Sequence, residues 1–176
     1  IEYLAMYDQL TDLPNRSLFF ERLDRAMARS KRESKPLALL YIDLNGFKKI
    51  NDQYGHNTGD IVLKDIAKRL KILVRKADTA CRMGGDEFAM LLEGLEASSD
   101  VELVAQRIVN SVSQPVVVHS ELNCQVGVSI GISIYPNDSE QMEELIMKAD
   151  QSMYKAKSTE GIDYCFYNQC MSIEKG

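Results

Sequence analysis

Asp43, Asp86 and Glu87 are the residues whose types and spacing point most directly to chemistry. Asp43 closes a short continuous apolar run, Leu37-Ala38-Leu39-Leu40-Tyr41-Ile42, that reads as a buried strand. Asp86 and Glu87 follow Gly84-Gly85 between two more apolar segments, Thr79–Met83 and Phe88–Leu92. That is the pattern of a β-hairpin whose turn uses the positive φ that glycine tolerates. If the two elements are neighbours in one sheet, the carboxylates converge at one edge. Carboxylates held close repel each other unless a cation sits between them. A few hard oxygen ligands, with room left for phosphate oxygens, describe a Mg²⁺ site. Such ions activate an attacking hydroxyl and bind the phosphate under attack. The plain alternative is a hairpin tip that is acidic because it is wet.

Residues around these three extend the pattern. Gly84 and Gly85 leave backbone without side chains, which a ligand can approach closely. Lys48 follows Asp43 within a turn and a half of helix and can reach a phosphate; a lone Lys on a helix is otherwise a solvated charge. Asn51 and Asp60 flank the Gly55-His56 turn. An amide and a carboxylate together can read a guanine edge, because a carboxylate accepts from both N1–H and the N2 amine. Asp60 also suits a helix cap, and His56 suits a plain turn residue. The P-loop pattern GxxxxGK[ST] is absent, which excludes a Walker-type NTPase.

The elements that must position these groups alternate. Ser17 to Ser30 carries Leu18, Phe19, Leu23, Ala26 and Met27 on one helical face, after a Thr11–Arg16 turn with Pro14. A short helix is expected over Gly46–Tyr54 and a longer one over Thr58–Val74. Helices follow over 100–113 and Glu140–Lys157, with strands at Val116–Val118, Gln125–Ile134 and Tyr164–Tyr167. This predicts an α/β fold, an α+β sandwich whose sheet contains at least one antiparallel hairpin, not a parallel Rossmann sheet. The length of 176 residues suits one domain with a full core. A net charge of -5 argues against a DNA or RNA partner, which needs a basic footprint. The four cysteines form no CxxC pair, so free thiols in a reducing cytosol are expected.

Taken together, these motifs resemble the GGDEF, or diguanylate cyclase, family. Gly84-Gly85-Asp86-Glu87-Phe88 is the signature, preceded by Arg82. Asp8-x-Leu10-Thr11-x-Leu13-Pro14-Asn15-Arg16 resembles the family's opening motif. Asp43-Leu44-Asn45-Gly46-Phe47-Lys48-Lys49-Ile50-Asn51-Asp52 resembles its metal and substrate segment, and Tyr54-Gly55-His56-x-x-Gly59-Asp60 follows at the family's spacing. Ser129-Ile130-Gly131-Ile132 and Ala149-Asp150-x-x-Met153-Tyr154-x-Ala156-Lys157 complete a match from about Tyr7 to Tyr167.

The resemblance implies condensation of two GTP into cyclic di-GMP with release of two pyrophosphates. It also implies a five-stranded, mostly antiparallel sheet wrapped by helices, like the polymerase palm and the nucleotidyl cyclases. Asp43, Asp86 and Glu87, with the Leu44 carbonyl, would hold Mg²⁺ or Mn²⁺, and Asp86 would accept the 3′-hydroxyl proton. Lys48 would stabilise phosphate charge in the transition state. Asn51, His56 and Asp60 would belong to the guanine site. Phe47, Gly84, Gly85 and Lys157 would complete the substrate pocket. Arg75-Lys76-Ala77-Asp78 resembles the family's inhibitory product site, in which Arg75 and Asp78 grip cyclic di-GMP; the plain alternative is a solvated helix end. Catalysis would need a transient two-fold homodimer, since each site holds one GTP.

Two departures stand out. Family members usually follow Lys157 with Gly-Arg-Asn, whereas this chain reads Ser158-Thr159-Glu160-Gly161-Ile162, with no Arg there or later. The missing Arg bears on GTP affinity, not on the fold. Asn45 replaces a frequent Asp at a position that is not assigned to the metal. Three functions are therefore in view: an active cyclase, a catalytically weak GTP-binding module that regulates an adjacent EAL-type phosphodiesterase, and an interaction module. The last gives no reason for Asp43, Asn51, Asp60 and Asp86 to occur together. The expected organisation is the end of an upstream helical connector at 1–10, the catalytic domain at 11–168, and a linker at 169–176. A sensory domain would precede and an EAL domain follow, in a cytoplasmic module whose parent protein can be membrane-anchored.

Overall fold

The computed structural model describes residues 5–171. The expected connector and linker lie partly outside them, at 1–4 and 172–176. Helix α1 (Arg16–Glu33) starts as its sequence dictates: the extended Asn15 accepts a hydrogen bond from Leu18 N–H at 3.1 Å. Lys31 and Arg32 occupy its last turn, where the helix dipole favours cations. Strand β1 (Leu37–Asn45) is buried on both faces along nearly its whole length, which is why its sequence is continuous rather than alternating. It runs two residues past its expected end at Asp43. The ladder to β6 (Gly127–Tyr135) continues through Leu44↔Val128 and Asn45↔Gly127.

Helices α2 (Phe47–Tyr54) and α3 (His56–Leu73) follow β1, and then the hairpin of β2 (Thr79–Gly84) and β3 (Glu87–Leu92). Helix α4 (Ser98–Val112), the short strands β4 (Val116–His119) and β5 (Leu122–Cys124), β6, helix α5 (Met142–Ser158), β7 (Tyr164–Phe166) and the single turn α6 (Tyr167–Cys170) complete the chain. The main sheet has the order β2-β3-β1-β6-β7. Its neighbours pair antiparallel except β6 and β7, which are parallel. The expected mixed fold with a mostly antiparallel sheet is therefore the one observed.

Side chains alternate across β1. Ala38, Leu40, Ile42 and Leu44 face the larger core, with Phe47 and Ile50 of α2, Val62, Ile66 and Leu70 of α3, and Ile108 of α4. Leu37, Leu39 and Tyr41 face the smaller one, with Phe19 and Leu23 of α1 and Leu145, Ala149 and Met153 of α5. Each fully buried Leu contributes about 1.5–3 kcal/mol. The sheet is thus fixed from both sides, and its C-terminal edge at Asp43 lies where α5 ends.

Four local expectations fail. Val116–Val118 pairs not with the main sheet but with β5, in a separate two-stranded ribbon. β5, at three residues, is too short to carry a periodic signal, and Gln125 and Val126 fall outside β6. Tyr167 leaves the last strand to start α6. Cys165 and Cys170 are paired as a disulfide across that turn, with Cα atoms 5.9 Å apart, so the expectation of free thiols holds only for the buried Cys81 and Cys124.

Gly131 decides how closely α5 can lie on β6. A Cβ there would overlap Ala149 O and Met153 N, both main-chain atoms that cannot swing aside. Gly131→Ala is expected to destabilise the domain by about 1–3 kcal/mol. Urea unfolding checks this, and an unchanged midpoint would show that α5 has room to retreat.

Candidate active site

The hairpin register brings the acidic residues together. Asp43 lies directly across from Glu87 in the β1–β3 ladder. Asp86 precedes Glu87 in a turn whose glycines, Gly84 and Gly85, have φ of 144° and 51°. Leu44 N–H donates to Asp86 O at 3.2 Å, tying the turn to the end of β1. Asp43 is buried. Its Oδ2 accepts from Lys157 Nζ of α5 at 2.6 Å, while its Oδ1 is buried with no hydrogen-bond partner.

Charge is crowded here. Burial, and then the neighbouring Asp43 carboxylate, push the Asp86 carboxyl above its ordinary value. Burial and then Asp43 do the same to Asp150 of α5. The hydrogen bond to Asp43 raises Lys157, with added pull from Asp86 and Glu87. Tyr41 Oη donates to Glu87 Oε2 at 2.9 Å, and burial followed by that bond push Tyr41 up to about 12, so it stays a donor at neutral pH. A divalent cation fits these donors. An orphaned carboxylate oxygen and a second carboxylate under repulsion both gain from one. Among the described residues no cluster of three or more His, Cys, Asp or Glu stands in metal-binding geometry. Remaining ligands would therefore come from main-chain oxygen or from a bound phosphate.

The other expected residues separate into two further places. Lys48, His56 and Asp60 are exposed on α2 and α3. His56 opens α3 rather than forming a turn, and Gly55 holds the cap position, so Asp60 in the second turn is not a cap. Asn51 lies against Gly59: a Cβ there would overlap Asn51 Oδ1 and come within 3.1 Å of the Phe47 ring. Asn51 Oδ1 is itself buried without a hydrogen-bond partner. Phe47 packs into the core, so what this position offers a ligand is main chain. Arg75 and Asp78 lie just past the end of α3, whose cap residue is Val74. Arg75 Nε and Nη2 grip Asp78 at 2.8 and 2.9 Å, and Nη2 also donates to Glu93 O at 2.8 Å. The Asp78 side chain is buried and that of Arg75 is exposed.

Two supports were not foreseen from sequence. Arg82 Nε and Nη2 donate to Gly85 O at 3.1 and 2.9 Å, and its Nη1 meets both Asp8 oxygens at 3.1 and 3.0 Å. Arg82 N–H also donates to Pro14 O at 3.0 Å. The opening motif is thereby clamped to the Gly84–Glu87 turn; the available signal was an acidic residue and an Arg that each sit inside a motif. Asn45 Nδ2 donates to Ser129 Oγ at 2.9 Å, so its side chain serves β6 and not the acidic cluster.

The family model described as diguanylate cyclase, GGDEF domain, matches residues 5–161. The bifunctional diguanylate cyclase/cyclic di-GMP phosphodiesterase MucR of Pseudomonas aeruginosa is 41% identical over 169 residues, covering 96% of this chain and 24% of MucR. Diguanylate cyclase TpbB of the same species is 39% identical over 157 residues, 89% of this chain and 36% of TpbB. The chain thus spans about a quarter to a third of the length of these curated relatives. The solved GGDEF domain of TpbB superposes with a TM-score of 0.89 at 36% identity, covering 97% of this chain and 99% of that one. The GGDEF domain of DgcB from Caulobacter crescentus, solved with c-di-GMP, gives 0.85 at 30% identity, with coverage of 94% and 97%.

The Asp8–Arg82 clamp carries a pH signature. Burial raises Asp8, but the hydrogen bond from Thr11 and the bonds and charge of Arg82 outweigh it, leaving the carboxyl below its ordinary 3.8. A depressed folded value gives stability that is complete above the unfolded value and is lost as pH falls through the folded one. Wild-type protein should therefore lose thermal stability more steeply below about pH 4 than Asp8→Asn, which lacks that titration. Parallel acid limbs for the two proteins would show that the clamp contributes no stability.

Proposed function

We propose that this chain, which belongs to the GGDEF family of diguanylate cyclase domains, joins two GTP into cyclic di-GMP and two pyrophosphates. The observation that carries this reading is the meeting of Asp43 and Asp86 at one sheet edge, with a buried, unpartnered Asp43 oxygen. Asp43 and Asp86, with Glu87 and the Leu44 carbonyl, would hold Mg²⁺ or Mn²⁺. When bound, that ion polarises the α-phosphate and makes the 3′-hydroxyl a better nucleophile. Asp86, set beside the attacking hydroxyl, takes its proton. Lys48 and Lys157 meet the phosphates, and Gly84, Gly85 and the main chain at Phe47 let them approach. Asn51, His56 and Asp60 bind guanine.

Each domain presents one such site, so two must face each other about a two-fold axis for each 3′-hydroxyl to reach the other nucleotide. Arg75, exposed and aimed by Asp78 and Glu93 O, offers a guanidinium for the product's guanine and phosphate. MucR, a bifunctional diguanylate cyclase and cyclic di-GMP phosphodiesterase, motivates a phosphodiesterase domain of the EAL type in the parent chain. No described helix is long and apolar enough to cross a membrane, which suits a cytoplasmic domain. The net charge of -5 speaks against DNA or RNA as a partner.

A second reading, a GTP-binding module that tunes a neighbouring phosphodiesterase, rests on one feature. The segment after α5 holds no Arg, which leaves Lys157 as the α5 cation that reaches Asp43. Product analysis with GTP and Mg²⁺ separates the two. Wild-type protein should form cyclic di-GMP at a per-domain rate that rises with protein concentration. Asp86→Asn should lower the rate about 10²–10⁴-fold with the fold intact by circular dichroism. A wild type that binds GTP and releases no product favours the regulatory module. In calorimetry, Arg75→Ala should abolish cyclic di-GMP binding; unchanged affinity would remove Arg75 from a product site.

A further inference from the structure

Tyr41 is 6% exposed and lies two residues before Asp43 on β1, on the same sheet face. Leu37 and Leu39 on that face are purely apolar, so packing alone asks for no hydroxyl here. The hydroxyl is nevertheless placed at the edge of the acidic cluster. It donates to Glu87 Oε2 at 2.9 Å, and Glu87 is the residue directly across from Asp43. Arg16, stacked over the Phe20 ring at 5.2 Å, lies near enough to favour the ionised hydroxyl slightly, and the charge of Asp150 opposes that. Tyr41 is thus a neutral donor set among carboxylates, where a cationic donor would compete with a metal ion for the same oxygens.

The need for such a donor follows from where Glu87 sits. It is half-buried at the tip of a glycine turn, and its charge acts on Lys157. An untethered carboxylate there can swing to solvent or toward that ammonium. A hydrogen bond through Oε2 restrains that swing and leaves Oε1 unengaged by Tyr41. We propose that Tyr41 is a positioning residue for the cyclisation: its hydroxyl holds the Glu87 carboxylate so that Asp43, Asp86 and Glu87 meet a divalent cation in one arrangement. This rests on the reading of the chain as a cyclase.

Tyr41→Phe removes the hydroxyl and keeps the ring. The expected result is a KM for GTP within about twofold of wild type, a kcat about tenfold lower, and a half-saturating Mg²⁺ concentration raised by a similar factor. Mn²⁺ titration by electron paramagnetic resonance, with a non-hydrolysable GTP analogue present, should show the same loss of affinity without any turnover. Because Tyr41 acts through Glu87, Tyr41→Phe added to Glu87→Gln should cost nothing more. Wild-type kcat and Mn²⁺ affinity in Tyr41→Phe, or losses that multiply in the double variant, would overturn the proposal. A wild type that makes no cyclic di-GMP would instead refute the cyclase reading, and the Mn²⁺ titration would still test Tyr41.

Discussion

Two carboxylates pressed together at the half-buried end of a sheet repel each other, and the surrounding structure is arranged to keep them there. Asp43 cannot turn to solvent, because β1 is covered on both faces and pairs with β3 and β6 along its length. The main chain of Asp86 is tied to β1, because its carbonyl accepts from Leu44 N–H. The ammonium of Lys157 offsets part of the repulsion through one oxygen of Asp43, and leaves the other buried and unsatisfied. Such an arrangement costs stability in isolation and gains from a cation.

Features far from the carboxylates act on the same constraint. Gly131 lets α5 lie main chain to main chain on β6, which sets the height at which Lys157 leaves the helix. Arg82 holds the glycine turn through Gly85 O and anchors to Asp8 in the opening motif. A movement of the chain entering at Asp8 therefore pulls directly on the turn that carries Asp86. In relatives such as MucR the corresponding region is about a quarter of a longer protein, and this clamp is the mechanical path an incoming segment would have.

Legibility in the sequence followed the range of the interaction. Asp43 was readable because a strand buried on both faces must be a continuous apolar run, and that run ends on it. The hairpin was readable because Gly84-Gly85 supplies the positive φ its turn needs. Contacts distant in sequence left no local trace. The Asp8–Arg82 pair spans 74 residues and the Lys157–Asp43 pair 114. Tyr41 counted as one more apolar strand residue, since nothing in periodicity reports a hydroxyl. β5 and α6, at three and four residues, were too short for any period to show. The Asn51–Gly59 contact joins two helices, and each residue alone suits a turn as well as a site.

The place where a bound cation settles is decisive. Crystals grown with Mn²⁺ and a non-hydrolysable GTP analogue, measured at the manganese edge, locate it directly. The predicted result is an anomalous peak between the Asp43 and Asp86 carboxylates, with Asp43 Oδ1 as a ligand and the nucleotide phosphates completing the shell. A nucleotide bound with manganese elsewhere, and Asp43 still held only by Lys157, would contradict it.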